Sequence, residues 1–260
     1  MCLLVIAWRT HPRYRLVVAA NRDEFHDRPT ASLAWWNDDP RILAGRDLRA
    51  GGTWLGVTRA GRIGIITNFR DLESPPAPDA PSRGGLVPRF LAERGATSAF
   101  LEGLGSEAGR YAGFSLLLGD TTALHYYSNR SDTHSRSLPP GVYGLSNHAL
   151  DTPWPKLVRT RQRFAKAMGN GDPAAGELFD ILGDREPAPY ESHPDTGLPP
   201  DWERALSAPF VVHERYGTRC STVVITDGAG RTVVHERRFD VKGAQTGATR
   251  MEFAGPGASE

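Results

Sequence analysis

Strand-like segments stand at both ends of this 260-residue chain, and helical periodicity fills the middle. Cys2 to Trp8 is apolar and partly β-branched, Thr10-His11-Pro12-Arg13 reads as a turn, and Tyr14 to Ala20 returns as a second strand. Thr53 to Thr58, the turn Arg59-Ala60-Gly61 and Arg62 to Asn68 make another hairpin. There Ile63, Ile65 and Thr67 alternate with Gly64, Ile66 and Asn68, so one face packs closely on a neighbour. Phe114 to Leu118 and Ala123 to Ser128 pair around Gly119-Asp120. Val142 to Asn147 is a short strand with a polar tip, and Ser221 to Thr226 with Arg231 to Phe239 closes the chain as a hairpin. Between them, Leu86 to Arg94, Ala96 to Leu104, Pro155 to Met168 and Ala174 to Leu182 read as helices. In the third of these, Leu157, Val158, Phe164, Ala165 and Met168 recur at helical spacing, and Arg159, Arg161, Arg163 and Lys166 form a solvated face. Strands that pair locally on both sides of helices predict a layered α+β domain with antiparallel sheets, not a doubly wound parallel one. One domain over residues 1–260 accommodates the whole pattern.

Charge and cysteine usage narrow the function. Thirty-one basic and 30 acidic side chains leave a net charge of +1, which gives no footprint for nucleic acid or an anionic membrane. Leu3 to Trp8 is too short an apolar run to cross a bilayer and lacks the flanks of a secretory signal, so a cytoplasmic protein without stable membrane insertion is expected. Two cysteines, Cys2 and Cys220, do not make a disulfide scaffold, and the eight histidines are scattered. No metal and no cofactor are implied. Gly51-Gly52 precedes a strand rather than a helix, so a dinucleotide fingerprint is absent. Arg83-Gly84-Gly85 does precede a helix and could meet an anion, but loop geometry suffices to explain it. The Pro-rich stretch Leu72 to Gly85, with Pro75, Pro76, Pro78 and Pro81, is a surface loop.

The chemistry starts at Cys2. Initiator methionine is generally removed before a small side chain, which would leave Cys2 with a free α-amine of pKa about 7.7–8.0. Such an amine activates its own thiol without a histidine. On position alone, a small hydrophobe opening a strand is the simpler account. Asp23, in the dense run Asn21-Arg22-Asp23-Glu24-Phe25, is placed to orient the amine. Asn68 and Asn147 stand at strand ends, where an amide N–H can stabilise an oxyanion, although each alone reads as a turn residue. Arg219 could pair with Asp23 or meet an acidic substrate group. Trp54 is either a pocket wall or a core residue. Trp35-Trp36 could grip an apolar ligand or be partly buried. His148 is a pocket polar group or a satisfied turn residue.

These segments resemble a known family. Met1-Cys2, Asn21-Arg22-Asp23-Glu24-Phe25, Gly51-Gly52-Thr53-Trp54-Leu55-Gly56, Thr67-Asn68-Phe69-Arg70, Leu145-Ser146-Asn147, Trp154-Pro155-Lys156 and Thr218-Arg219-Cys220-Ser221-Thr222 are similar to the motifs of the NRDE family, in order from Met1 to about Phe239. The resemblance implies an N-terminal-nucleophile (Ntn) αββα sandwich with a cysteine nucleophile. More distantly, Cys2, Asp23, Asn68, Asn147 and Arg219 match the order of site residues in the choloylglycine hydrolase and penicillin V acylase group. That group carries Arg-Asn-x-Asp, whereas Ala20 precedes Asn21 here and Arg22 lies between Asn21 and Asp23. In an extended strand Arg22 points away from both, so bile-salt or penicillin chemistry does not transfer.

Two functions follow as expectations. The first is hydrolysis of a linear carbon–nitrogen amide bond in a small acylated substrate. Cys2, Asp23, Asn68, Asn147 and Arg219 would be the catalytic set, with Asn21, Arg22, Trp54 and His148 contacting substrate. The second is a non-catalytic carrier. Eukaryotic members of the resembled family are linked to Golgi organisation, lipid metabolism and haem trafficking, which makes a lipid-like ligand or haem conceivable in the same pocket. No Cys-Pro haem motif is present.

Overall fold

The computed structural model of the chain describes residues 2–72, 77–131, 134–169, 171–194 and 196–257. Among these, thirteen strands form two antiparallel sheets. The six-stranded sheet has the order β10 (Gly141–Leu145), β1 (Cys2–Trp8), β2 (Tyr14–Phe25), β11 (Tyr216–Asp227), β12 (Thr232–Phe239) and β13 (Gln245–Phe253). The seven-stranded sheet follows chain order: β3 (Thr30–Trp35), β4 (Ile42–Asp47), β5 (Leu55–Thr58), β6 (Ile63–Asn68), β7 (Phe114–Gly119), β8 (Leu124–Ser128) and β9 (Ser135–Ser137). Helices α1 (Leu86–Ala92) and α2 (Thr97–Gly105) cover the second sheet, while α3 (Pro155–Gly169) and α4 (Ala175–Leu182) cover the first. A short α5 (Pro200–Leu206) precedes β11.

The period-two alternation of the strands sorts their side chains into layers. Leu4, Ile6 and Trp8 of β1 join Leu16, Val18 and Ala20 of β2 between the sheets, against Leu55, Val57, Ile63 and Leu117. The intervening Val5, Ala7, Val17 and Ala19 face Phe164 of α3 and Leu178 and Leu182 of α4. On the far side, Ile66, Leu116 and Leu118 pack under Val87, Phe90, Phe100 and Leu104. The result is the four-layer αββα sandwich that the motifs implied. Strands β1 and β2 are buried on both faces, which is why they read as nearly continuous apolar runs. No helix among the described residues is long and apolar enough to cross a membrane.

Several boundaries differ from the sequence-based expectation. Strand β2 does not end at Ala20 but runs on to Phe25, so the polar run Asn21 to Phe25 is strand rather than hairpin end. Strands β3, β4 and β13 and helix α5 also carry no clear periodicity in the sequence, because two-sided or edge strands mix polar and apolar residues. Ala165 lies on the exposed side of α3, and the buried stripe instead includes Lys156, Thr160 and Ala167. Arg159 and Arg163 meet Asp184 at 3.0 and 3.1 Å, and Arg161 meets Asp151 at 2.7 Å, on the outer face as expected. Trp36 is buried and donates its indole N–H to the Ala44 carbonyl at 3.3 Å. Trp35 packs edge-on against Phe253, so the pair serves the core. Of the Pro-rich loop, Pro75 and Pro76 lie outside the described residues, and Arg83–Gly85 forms one 3-10 turn before α1.

Gly52 is a position where only hydrogen fits. A Cβ there would lie 2.2 Å from the Gly84 carbonyl oxygen, and the same backbones are joined by Thr53 N–H donating to that oxygen at 3.0 Å. Gly52→Ala must therefore push the 82–85 turn away from β5. We expect a loss of about 1–3 kcal/mol in chemical denaturation. An unchanged unfolding midpoint would show that this close approach is not maintained.

Candidate active site

The end of β1 and the extended end of β2 open on a cavity of about 290 Å³ between the two sheets. Cys2, Arg22 and Glu24 line it from the first sheet. Asp47, Thr53, Trp54 and Asn68 line it from the second, and Ser82, Arg83 and Gly84 close a third side. Nine of its fourteen lining residues are polar or charged, so the cavity suits a polar ligand group better than a wholly apolar one.

Register places the thiols. Cys2 pairs with Arg22, and Arg22 pairs in turn with Cys220 on β11. The cysteines are thus two strand spacings apart, about 10 Å, beyond disulfide reach. Cys2 is half-buried and open to the cavity, whereas Cys220 is buried. Burial pushes the Cys2 thiol above its ordinary pKa, and the Asp23 carboxylate acts in the same direction. Arg22 and the Asp23 backbone N–H pull it down. Burial and the carboxylate of Glu236 push Cys220 well above the ordinary value.

Alternation along β2 divides its polar residues. Arg22 points between the sheets, with its guanidinium 4.3 Å above the Trp54 ring and donating to Thr30 Oγ1 at 3.1 Å. Asn21 points the other way and is spent on structure. Its Nδ2 donates to the Leu182 and Pro209 carbonyls at 2.9 Å each, and its Oδ1 accepts from Ser221. It does not line the cavity, contrary to the substrate contact expected of it. Asp23 is 1% exposed. Its Oδ1 accepts from Thr218 Oγ1 at 2.7 Å, and its carbonyl accepts from the Tyr216 hydroxyl at 2.6 Å.

The two asparagines meet but do different things. Asn68 is exposed on the cavity wall. Asn147 is fully buried just beyond β10, and its Nδ2 donates to the Asn68 carbonyl at 3.0 Å. Ser146 beside it donates its hydroxyl to the Cys2 carbonyl at 3.0 Å. Ser146 and Asn147 together therefore tie the end of β10 to β1 and β6, and Asn147 is not among the residues that line the cavity. His148 also stays out of the cavity, stacked on Phe69 at 4.5 Å with Nδ1 against Thr152 Oγ1 at 2.9 Å. Arg219 sits on a register shift of β11. Its Nη1 donates to the carbonyls of Phe25, His26 and Arg28 at 2.9, 3.1 and 3.4 Å. Of the two roles expected for Arg219, pairing with Asp23 or meeting an acidic substrate group, the first is replaced by a clamp on the end of β2, because the bulge turns the side chain toward that backbone.

Lys156 is the residue that sequence reasoning missed. It lies in the first turn of α3, 2% exposed, and its ammonium makes no hydrogen bond among the described residues. Burial lowers its pKa to about 8, against the opposing charges of Asp23, Cys2 and Glu203. The same Lys156 charge opposes the burial that raises Asp23. Counting back from Phe164 through Thr160 in steps of four would have put position 156 on the buried stripe.

Residues 1–241 match the Transport and Golgi organisation 2 family. The mouse Transport and Golgi organization 2 homolog is 34% identical over 261 residues, covering 91% of this chain and 92% of that protein. The Drosophila melanogaster Transport and Golgi organization protein 2 is 27% identical over 257 residues, covering 89% of each. Among solved structures, the C2A mutant of a conjugated bile acid hydrolase from Clostridium perfringens aligns with a TM-score of 0.55. It covers 97% of this chain and 92% of that one at 8% identity, which shows a shared Ntn-hydrolase fold. With that fold, and with family similarity along nearly its whole length, this chain belongs to the Transport and Golgi organisation 2 family.

Proposed function

We propose that this protein is an N-terminal-cysteine hydrolase of a linear carbon–nitrogen amide bond in a small acylated substrate. The observation that carries the reading is the position of Cys2, which opens an inner strand at the wall of a polar cavity, next to the buried carboxylate of Asp23. Loss of Met1 gives Cys2 the free α-amine that serves as its base.

In the first step the α-amine takes the thiol proton, and sulfur attacks the carbonyl carbon. The oxyanion is met by the side-chain amide of Asn68, which makes no other hydrogen bond among the described residues. The C–N bond breaks as the α-ammonium returns the proton to the leaving amine, leaving an acyl thioester on Cys2. Water then attacks with its proton going to the amine, the C–S bond breaks, and the acid departs. Asp23 holds the ammonium form, and Lys156 keeps Asp23 ionised. Asn147 positions Asn68 through its carbonyl. The Ntn fold, shared with a hydrolase of conjugated bile acids, supports amide chemistry as the reaction class. The carrier reading, with a lipid-like ligand or haem, has less support from a cavity of this size and polarity.

A panel of N-acyl amides and acyl thioesters, combined with intact-mass measurement, tests the reading. The protein should lack Met1 and release acid from at least one amide. A population that retains Met1 and turns substrate over as fast as the processed form would overturn the free-amine mechanism.

A further inference from the structure

We propose that Arg83 is the receptor for an anionic group on the ligand of the Cys2 cavity, so that its substrates are acylated compounds carrying a carboxylate or phosphate. The inference rests on the cavity being the ligand site proposed above and adds the charge of what enters it.

Three arginines line the cavity, and two have carboxylate partners. Arg28 Nε meets Asp47 Oδ2 at 2.6 Å. Arg22 lies 3.9 Å from Asp47 and 4.0 Å from Glu24, covers the Trp54 ring and bonds Thr30. Arg83 has none within 4.0 Å among the described residues, where its hydrogen bond is Nη1 donating to the Gly113 carbonyl at 2.9 Å. That bond fixes one nitrogen and aims a planar fork whose other donors have no acceptor among the described residues. Glu24, the carboxylate that most influences it, sits between Arg22 and Arg28, 4.0 Å from each, with Oε1 accepting the Phe25 N–H. The cavity wall holds three guanidinium groups and the carboxylates of Asp23, Glu24 and Asp47; Glu24 and Asp47 meet Arg22 and Arg28, while Asp23 accepts from Thr218 and is opposed by the charge of the buried Lys156. Arg83 is the guanidinium of this wall that no carboxylate meets within 4.0 Å among the described residues. A desolvated guanidinium fork recognises a carboxylate or phosphate oxygen pair with two parallel bonds. The turn that carries it is pinned to β5 by the Gly52–Gly84 contact, so its position is built into the fold.

Two alkylating reagents of nearly equal size provide the test. Iodoacetate carries a carboxylate and iodoacetamide does not, and both consume the same Cys2 thiolate. The ratio of their rates therefore reports charge recognition independently of thiol reactivity. Relative to a free cysteine peptide, the native protein should favour iodoacetate by about tenfold, a gain of about 1.4 kcal/mol. Arg83→Gln should erase that preference, Arg83→Lys should keep part of it, and inorganic phosphate or acetate should compete for it in the native protein. Competition by phosphate but not acetate would assign a phosphate-bearing ligand, and the reverse a carboxylate-bearing one. A ratio equal to that of the peptide, or one unchanged in Arg83→Gln, overturns the proposal. Slow reaction of Cys2 with both reagents would count against the nucleophile assignment instead, so the two readings fail separately.

Discussion

Iodoacetamide should label Cys2 at least about tenfold faster than Cys220 near neutral pH, because Cys2 opens on a cavity while Cys220 is buried and its thiol is pushed well above the ordinary value. Both thiols are raised by burial and Arg22 acts to lower both, but of the two only Cys2 opens on the cavity of about 290 Å³ and has the Asp23 N–H acting to lower it. Cys220 also borders a smaller cavity of about 140 Å³, where Glu236 adds a like charge that disfavours its thiolate. Loss of Met1 adds a base to Cys2 and none to Cys220. Cys2→Ala should then lower hydrolysis by roughly 10⁴-fold or more, as removal of a nucleophile does elsewhere. Its stability should shift by less than about 1 kcal/mol, since a half-buried first residue of a strand makes few contacts that Ala lacks. Peptide mapping of the labelled protein and a turnover assay on the variant check both statements. Faster labelling of Cys220, or turnover retained by Cys2→Ala, makes the nucleophile assignment wrong.

The parts of this site that could be read from the sequence are those set by strand ends. Cys2, Asp23 and Asn68 each stand where an apolar run stops, and the fold brings such ends together at one opening of the sandwich. The layer order was legible for a similar reason, since local hairpins around a helical middle leave few alternatives. What escaped depends on direction rather than identity. Asn21 and Arg22 are adjacent, yet the pleat sends one to the α4 side and the other into the cavity. Arg219 has the residue type for pairing with Asp23, but a one-residue register shift redirects it to three carbonyls. Arg83 lies in a proline-rich stretch with no periodicity, and although Arg83-Gly84-Gly85 before a helix could meet an anion, loop geometry explains it as well. Lys156 stands in the motif Trp154-Pro155-Lys156 without a role, and the stripe through Thr160 and Phe164 is what marks it as buried.

Asp23 and Lys156 should prove energetically coupled, although no hydrogen bond joins them. Each is almost wholly buried, and each carries the charge that most opposes the other's desolvation. Removing one leaves the other as an uncompensated charge, so Asp23→Asn and Lys156→Met should each destabilise the fold by on the order of 2–3 kcal/mol. Asp23→Asn is the sharper probe because it is isosteric and keeps an acceptor for the Thr218 hydroxyl. The double variant buries no charge at this place and should recover part of the loss, giving a coupling of at least about 1 kcal/mol in a double-mutant cycle. The sign of the pH dependence follows from the lysine. Its folded pKa, about 8, is depressed below the ordinary 10.5. Protonating it therefore opposes folding, and its contribution to stability is fully present at high pH and lost as pH falls through 8. Asp23→Asn depresses that pKa further, since the carboxylate no longer favours the ammonium. The stability gap between native protein and variant should accordingly be widest near pH 7, where native Lys156 is charged and paired across the gap. It should narrow toward pH 9, where the amine is neutral in both. Denaturant titrations of the four proteins at pH 7 and 9 measure the cycle directly. Strict additivity at pH 7, within about 0.3–0.5 kcal/mol, would mean that Lys156 does not hold Asp23 in its charged form. Asp23 would then be held for its role beside the Cys2 amine by contacts other than Lys156, among them Thr218 and Tyr216.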